Sequence, residues 1–410
     1  MPKSSLPRQV VPFLISQTLD ATGRQVFLLA MIWLVTGVTH SAGRLGVFFA
    51  LIELPYLALL IPAGTWADRT DRKRLALRFT AIRVLVLACL ALGLRLAHVP
   101  WLLVAGFAVV QEATTAIVVP SLSPWMMSLV DADLFGVLNA WGQTGSQAAT
   151  VLGPAVGGFL VSLVGIPGAV GFAAVMALTA LVGRTLTPRP RTSGEAHARR
   201  ERGFWAGWRF LSQQRGMLYM VLFFSLTNGL NNVEAVLVPV LSRSLLHLPA
   251  WQFGALATGF GGGAIAGAWL GVRVDQHARR RIPSILASMI VFGLTIVAMG
   301  AAPNVLWLAA AYVVAGVAFA TGEVASSTLW QRMIPDDRRG RVLSTMSTLA
   351  RAVNPLGFIL AGWLGVVVGV RAGLFIGGAA IILLTGLLTL VRAVRQLDSN
   401  PLQPRVDPVA

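Results

Sequence analysis

Charge, cysteine and histidine are all scarce in this 410-residue sequence. Only 12% of its residues are charged, about half the share in an average soluble chain. With 56% hydrophobic residues, a water-soluble globule would leave a large apolar surface in contact with solvent. That composition excludes a soluble globular protein. The lone cysteine, Cys89, excludes an intramolecular disulfide and any cysteine-based metal site. Of the five histidines, His40, His98, His247 and His277 stand at the edges of apolar runs and His197 in a polar stretch. A histidine proton relay inside a membrane is therefore not expected. The chain also lacks a Walker loop, a His-Glu-x-x-His pattern and a nucleophile elbow. No enzyme activity, cofactor or metal is expected, and transport, if that is the task, has to be uniport or ion-coupled.

What is present is apolar sequence in long runs. The expected fold class is all-α and integral to the membrane, with twelve transmembrane helices. Runs of about twenty residues fall at 11–38, 44–66, 75–97, 101–124, 137–163 and 167–187, then at 216–241, 250–272, 282–302, 304–328, 342–368 and 371–394. The first run is too long for a signal-peptide core and reads as a retained span. The net charge of +17 lies in short stretches between runs, which argues for topology rather than nucleic acid. Only Arg44, Arg95, Arg243 and Arg371 fall in the opposite connections, with Arg24, Arg83 and Arg351 inside spans. The positive-inside rule then places both termini in the cytoplasm.

The sequence divides into residues 1–187, a linker at 188–215, residues 216–395 and a tail at 396–410. The linker carries Arg189, Arg191, Arg199, Arg200 and Arg202, then Phe204, Trp205, Trp208 and Leu211 at helical spacing. Its second part reads as an amphipathic helix on the cytoplasmic face, and its basic part favours anionic membrane lipids. The two large parts repeat each other. Gly64, Asp68 and Arg72 to Arg74 recur as Gly271, Asp275 and Arg279 to Arg281, 207 positions on. Trp125, Asp131, Val137 and Leu138 recur as Trp330, Asp336, Val342 and Leu343, 205 positions on. Two matches at nearly one offset point to two pseudo-symmetric six-helix bundles, an architecture used by transporters.

Ionisable groups at mid-membrane cost roughly 2.5–3.5 kcal/mol each on insertion scales, so each needs a partner, a wet cavity or a task. The acids at such depth are Asp20, Glu53, Glu112, Glu234 and Glu323. Ser16, Gln17, Asp20 and Arg24 share one helical face, as do Gly316, Ala320, Glu323 and Ser327. Asn228, Asn231 and Asn232 cluster with Glu234, and Asn139, Gln143, Gln147 and Thr150 run towards Pro154. Such faces have to meet protein or water. Asp20 and Arg24 also suit a plain i,i+4 ion pair, Glu53 and Arg83 suit inter-helix pairs, and the asparagines suit inter-helix hydrogen bonds. Desolvation favours the neutral form of a carboxylate, which makes Glu112 and Glu323 candidate proton carriers. Gly259, Gly263, Gly267 and Gly271 leave one helix face nearly bare for close packing.

The stretch Gly64-Thr-Trp-Ala-Asp68-Arg69-Thr-Asp-Arg72-Lys-Arg74 resembles the loop motif between helices 2 and 3 of the major facilitator superfamily. Gly153-Pro154-Ala-Val-Gly157-Gly158 is similar to the glycine-proline motif of exporters in that superfamily. Arg83, the segment Pro120 to Val130 and Asp337-Arg-Arg-Gly340-Arg341-Val resemble the enterobactin exporter and macrolide efflux branch. The resemblance implies the major facilitator fold, a bacterial inner-membrane location and a monomer. It also implies a proton-coupled exporter of amphipathic small molecules working by alternating access. Asp20, Arg24, Glu112, Asn228, Asn231, Asn232, Glu234 and Glu323 would then line the transport cavity or carry protons. Gly64, Asp68, Arg69, Arg72 and Arg74, with Asp275 in the weaker copy, would form a conformational switch, Asp68 accepting at a helix N-terminus. Gly153, Pro154, Gly157 and Gly158 would let span five bend. One departure is that Gly106-Phe-Ala-Val-Val-Gln111-Glu112 lacks the arginine of many drug/proton exporters and has Glu where Gly would stand, which makes Glu112 a substitute candidate. Alternatives are a transporter of one metabolite, where Arg24 favours an anionic group, and a non-transporting receptor on the same fold.

Overall fold

The structure is a computed structural model that describes residues 7, 10–97, 99–189, 203–277, 281–335, 338–395 and 397. The basic linker from residue 190 to 202, Asp336, Asp337 and nearly all of the tail lie outside the described residues, as do the side chains of Gly64, Asp68, Arg69, Phe204 and Trp205.

With no water in the hydrocarbon, each crossing segment has to satisfy its own backbone, and helices do so. The chain forms α1 (Val11–Thr39), α2 (Ala42–Arg69), α3 (Arg72–Leu96), α4 (Trp101–Met127) and α5 (Phe135–Leu186). The amphipathic α6 (Gly203–Gln213) precedes α7 (Arg215–Val240), α8 (Ala250–His277), α9 (Ile282–Gly300) and α10 (Val305–Met333). Then follow α11 (Arg339–Ala352), α12 (Asn354–Val367), α13 (Val370–Leu390) and the short α14 (Arg392–Arg395). Among the described residues, 11 helical segments are long and apolar enough to cross a membrane, α11 with α12 counting as one.

The 52 residues of α5 make up two crossings. Gly165, at φ 73°, adopts a left-handed conformation open to glycine, with Pro167 just beyond. Before it, Gly145, Gly153 and Gly157 pack on Thr18, Gln25 and Val26, running the same way as α1. After it, Met176 meets Gly23 and Gly183 meets Ser16, running the opposite way. The chain reverses at Gly165, so the expected spans at 137–163 and 167–187 are separate crossings, and twelve result. The single expected span at 342–368 is broken at Val353, where Pro355 takes the first turn of α12 and has no N–H to continue α11.

Packing separates two compact units: Met1–Ala198 with Val238–Gly261, and Arg199–Leu237 with Gly262–Ala410. The first keeps residues 1–187 together and adds the end of α7 and the start of α8. Gly158 and Gly254 bring α5 and α8 so close that a Cβ on one would lie 3.1 Å from the Cα of the other. Thr258 donates to the Val151 carbonyl at 2.9 Å. In the second unit, Gly263, Gly267 and Gly271 pack against Val313, Val317 and Thr321 of α10, the close contact expected of a bare stripe. Of the repeated positions, Trp125 and Trp330 keep one role, each in the apolar core of its own unit, whereas Leu138 is buried and its counterpart Leu343 is exposed.

Candidate functional site

The first unit concentrates charge around Asp20. One turn along α1, Arg24 Nη1 donates to Asp20 Oδ2 at 2.9 Å. Arg83 of α3 donates to Asp20 Oδ1. Arg184, near the end of α5, donates to Oδ2 at 2.8 Å and also to Thr80 Oγ1. Asp20, Arg83 and Arg184 are 2%, 1% and 0% exposed, whereas Arg24 is 26% exposed. The expected i,i+4 pair exists, and Arg83 makes the inter-helix pair expected of it. Arg184 is not among the arginines that the sequence analysis places inside spans, yet it is buried like them, and its position inside the run at 167–187 is the signal for it.

The second unit contains a cavity of about 340 Å³. Val221, Phe224, Asn228 and Asn231 reach it from one face of α7 at three- and four-residue steps, and Phe319, Glu323, Ser326 and Trp330 from one face of α10. Met289 and Phe292 of α9 and Met346 and Ala350 of α11 close further walls. Glu323 is exposed to this space and is the one ionisable residue among those lining it. Asn231 Oδ1 is buried without a hydrogen-bond partner. The cavity is thus an aromatic and thioether-rich chamber with one carboxylate and two amides, suited to molecules with a broad apolar body and a few polar groups.

The other expected cavity residues fall elsewhere. Asn232 lies outside the cavity lining: it is buried and donates to the Asn354 carbonyl at 3.2 Å. Asn228 donates to the Ala350 carbonyl at 3.1 Å and to Asn354 Oδ1 at 3.3 Å. Both amides therefore tie α7 to the break between α11 and α12. Glu234 is hydrogen-bonded to Tyr312 of α10, and it too does not line the cavity. Glu112 is half-buried on α4 in the first unit. The aromatic walls and the contribution of α11 were missed in the sequence, because apolar residues are too common there to single out.

At the loop after α2, Asp71 caps α3 by accepting from the Arg74 N–H at 3.1 Å, and its carboxylate lies 3.6 Å from Arg74 Nε. Arg72 is half-buried. Lys73 Nζ donates to the carbonyls of Thr185, at 2.8 Å, and Thr187, at 2.5 Å, satisfying groups that the end of α5 leaves unpaired. In the second copy, Asp275 forms an ion pair with Arg281 at 2.6 Å. The glycine-proline motif is a packing surface. Gly153 and Gly157 lie against α1, and Gly158 and the Pro154 carbonyl lie against Gly254. The linker helix α6 packs on α11, with Gly207 against Arg341 and Thr345 and Leu211 wholly buried. Its apolar stripe is therefore spent at least partly on protein.

The family model described as Major Facilitator Superfamily matches residues 13–282 and 235–408. Multidrug efflux pump Tap of Mycobacterium tuberculosis is 26% identical, with 95% of this chain and 94% of that protein aligned. Macrolide efflux protein A of Streptococcus pyogenes is 21% identical, over 91% and 93%. Among solved structures, a bacterial homologue of the human lysosomal transporter Spinster superposes with a TM-score of 0.75 at 14% identity, covering 98% of this chain and 100% of that one. A bacterial homologue of the iron transporter ferroportin gives 0.73 at 15% identity, covering 97% and 100%. These two show a shared fold.

Proposed function

The chain belongs to the major facilitator superfamily, and from that premise we propose that it is a proton-coupled exporter of amphipathic small molecules. It is a multi-pass membrane transporter whose relatives are efflux transporters rather than enzymes. The observation that carries the finer reading is the cavity with Glu323 as its one ionisable residue. Phe224, Phe292, Phe319 and Trp330 offer faces to an apolar ring system, and Glu323 either holds a proton or meets a polar or cationic group of the cargo. Loading one would displace the other, which couples export to proton entry. Glu112 and Glu234 are further proton candidates, whereas Asp20 is taken by three guanidinium groups; Asn228 and Asn231 shape the α7 wall, and Asn232 braces it from behind.

In this reading the protein works by alternating access, as a monomer in the inner membrane of a bacterium, with both termini in the cytoplasm and the basic connections against anionic lipid. Gly64, Asp68, Arg69, Arg72 and Arg74, with Asp275, serve as the conformational switch. The test is accumulation of a panel of dyes, macrolides and siderophores in efflux-deficient bacteria, with and without a protonophore. The intact chain lowers accumulation of at least one compound, and both the protonophore and Glu323→Gln abolish that effect. Export that persists in Glu323→Gln moves the relay to Glu112 or Glu234, and no export of any compound by membrane-inserted protein overturns the proposal. A dedicated transporter of one anionic metabolite is the second reading, supported by the partial exposure of Arg24 beside Asp20.

A further inference from the structure

Three guanidinium groups share a single carboxylate inside the first unit. Among the described residues, Arg24, Arg83 and Arg184 have no carboxylate but Asp20 within ion-pair distance, so two positive charges stand uncompensated. Arg83 and Arg184 are almost wholly buried, and buried charge is tolerated when it is paired and hydrogen-bonded. The hydrogen bonding is incomplete as well. Arg83 Nε and Nη1 and Arg184 Nε are buried without a partner, although each guanidinium presents its N–H donors in a rigid fork. Thr80 Oγ1 accepts from Arg184 but brings no charge.

We propose that this cluster is an anion site: a small singly charged anion sits among the three guanidinium groups and accepts from the unpartnered Nη1 end of Arg83. The chemistry is that of a halide or a carboxylate group. A halide comes from solution; a carboxylate comes from a small organic molecule, and Arg24 is the partly open edge by which either enters. The charge is carried by side chains of α1, α3 and the second crossing of α5, so the anion ties three helices of one unit together. A carboxylate here would fall in with the second reading of the function, whereas a halide would be separate from any cargo.

The test is thermal unfolding of the purified full chain in lipid nanodiscs at constant ionic strength, with chloride or acetate titrated against gluconate, which is too bulky for a buried site. A ligand of the folded state raises the midpoint in a saturable way. Saturation with chloride assigns a halide site, and saturation with acetate alone assigns a carboxylate subsite. Identical midpoints in all three salts overturn the proposal. Thr80→Asp supplies one of the two missing charges, beside Arg184, at nearly the same volume. It is expected to raise the midpoint in gluconate and to remove the response to added anion. A lower midpoint with the response intact overturns the proposal that excess positive charge draws the anion. If Thr80→Asp does not fold, Arg24→Gln leaves Asp20 with two partners and is expected to raise the anion concentration needed for half-maximal stabilisation; an unchanged concentration has the same overturning force.

Discussion

Asp20 is the residue on which the first unit turns electrostatically. Among the described residues, its carboxylate is the one negative charge that meets Arg24, Arg83 and Arg184, so the four side chains are not equivalent. Removing one partner of a buried ion pair costs about 3–5 kcal/mol. Asp20→Asn leaves all three arginines without their counter-ion and is expected to cost at least that much. Arg184→Met takes charge out of an over-positive cluster and substitutes an apolar chain of similar length, so it is expected to cost clearly less. Unfolding midpoints of the two variants check the order, and equal losses would contradict the charge accounting. The pair Asp20–Arg24 was legible in the sequence because i,i+4 spacing is local. Arg83 and Arg184 join it across 63 and 164 positions, a meeting that no local pattern encodes.

Among the elements, the glycines show which helix faces are in use. Gly158 has no room for a side chain: a Cβ there would lie 3.1 Å from the Gly254 Cα and nearer still to the Ala250 carbonyl. Gly158→Ala forces α5 and α8 apart and is expected to destabilise by about 1–3 kcal/mol, the cost of overpacking. Gly106 of α4 has nothing within 4 Å of its Cβ position. Gly106→Ala is expected to be neutral or to stabilise by up to about 1 kcal/mol through helix propensity. Thermal midpoints of the two variants should therefore move in opposite directions or differ by several degrees. The sequence exposed the glycine-proline motif by its composition. Whether its glycines bend the helix or let another helix approach depends on a neighbour nearly a hundred residues away.

For the whole molecule, the proposed alternating-access cycle requires that contacts made in one state be broken in another. The Trp251 N–H donates to Ser162 Oγ at 3.1 Å, joining the second repeat of the sequence, at the start of α8, to the first repeat, at the end of the first crossing of α5. Replacing Cys89, the lone cysteine, by serine clears the background for a Ser162→Cys and Trp251→Cys pair. Oxidation is expected to stop transport and reduction to restore it. Transport that continues through a completed cross-link would show that this contact is kept throughout the cycle.

Hydrophobicity and charge bias act over windows of about twenty residues, so the sequence alone determined the membrane class, the crossings and the existence of a repeat. It also flagged Glu323, Asn228 and Asn231, because polar groups within apolar runs stand out against their background. It could not tell Asn232, which braces the α11–α12 break, from Asn231, which lines the cavity, since one position on a helix turns a side chain by about 100°. Nor could it show that Glu234 is taken by Tyr312 or that Arg184 belongs to Asp20. Those partnerships are set by which helices touch and at what height, and that is a property of packing between segments far apart in the chain.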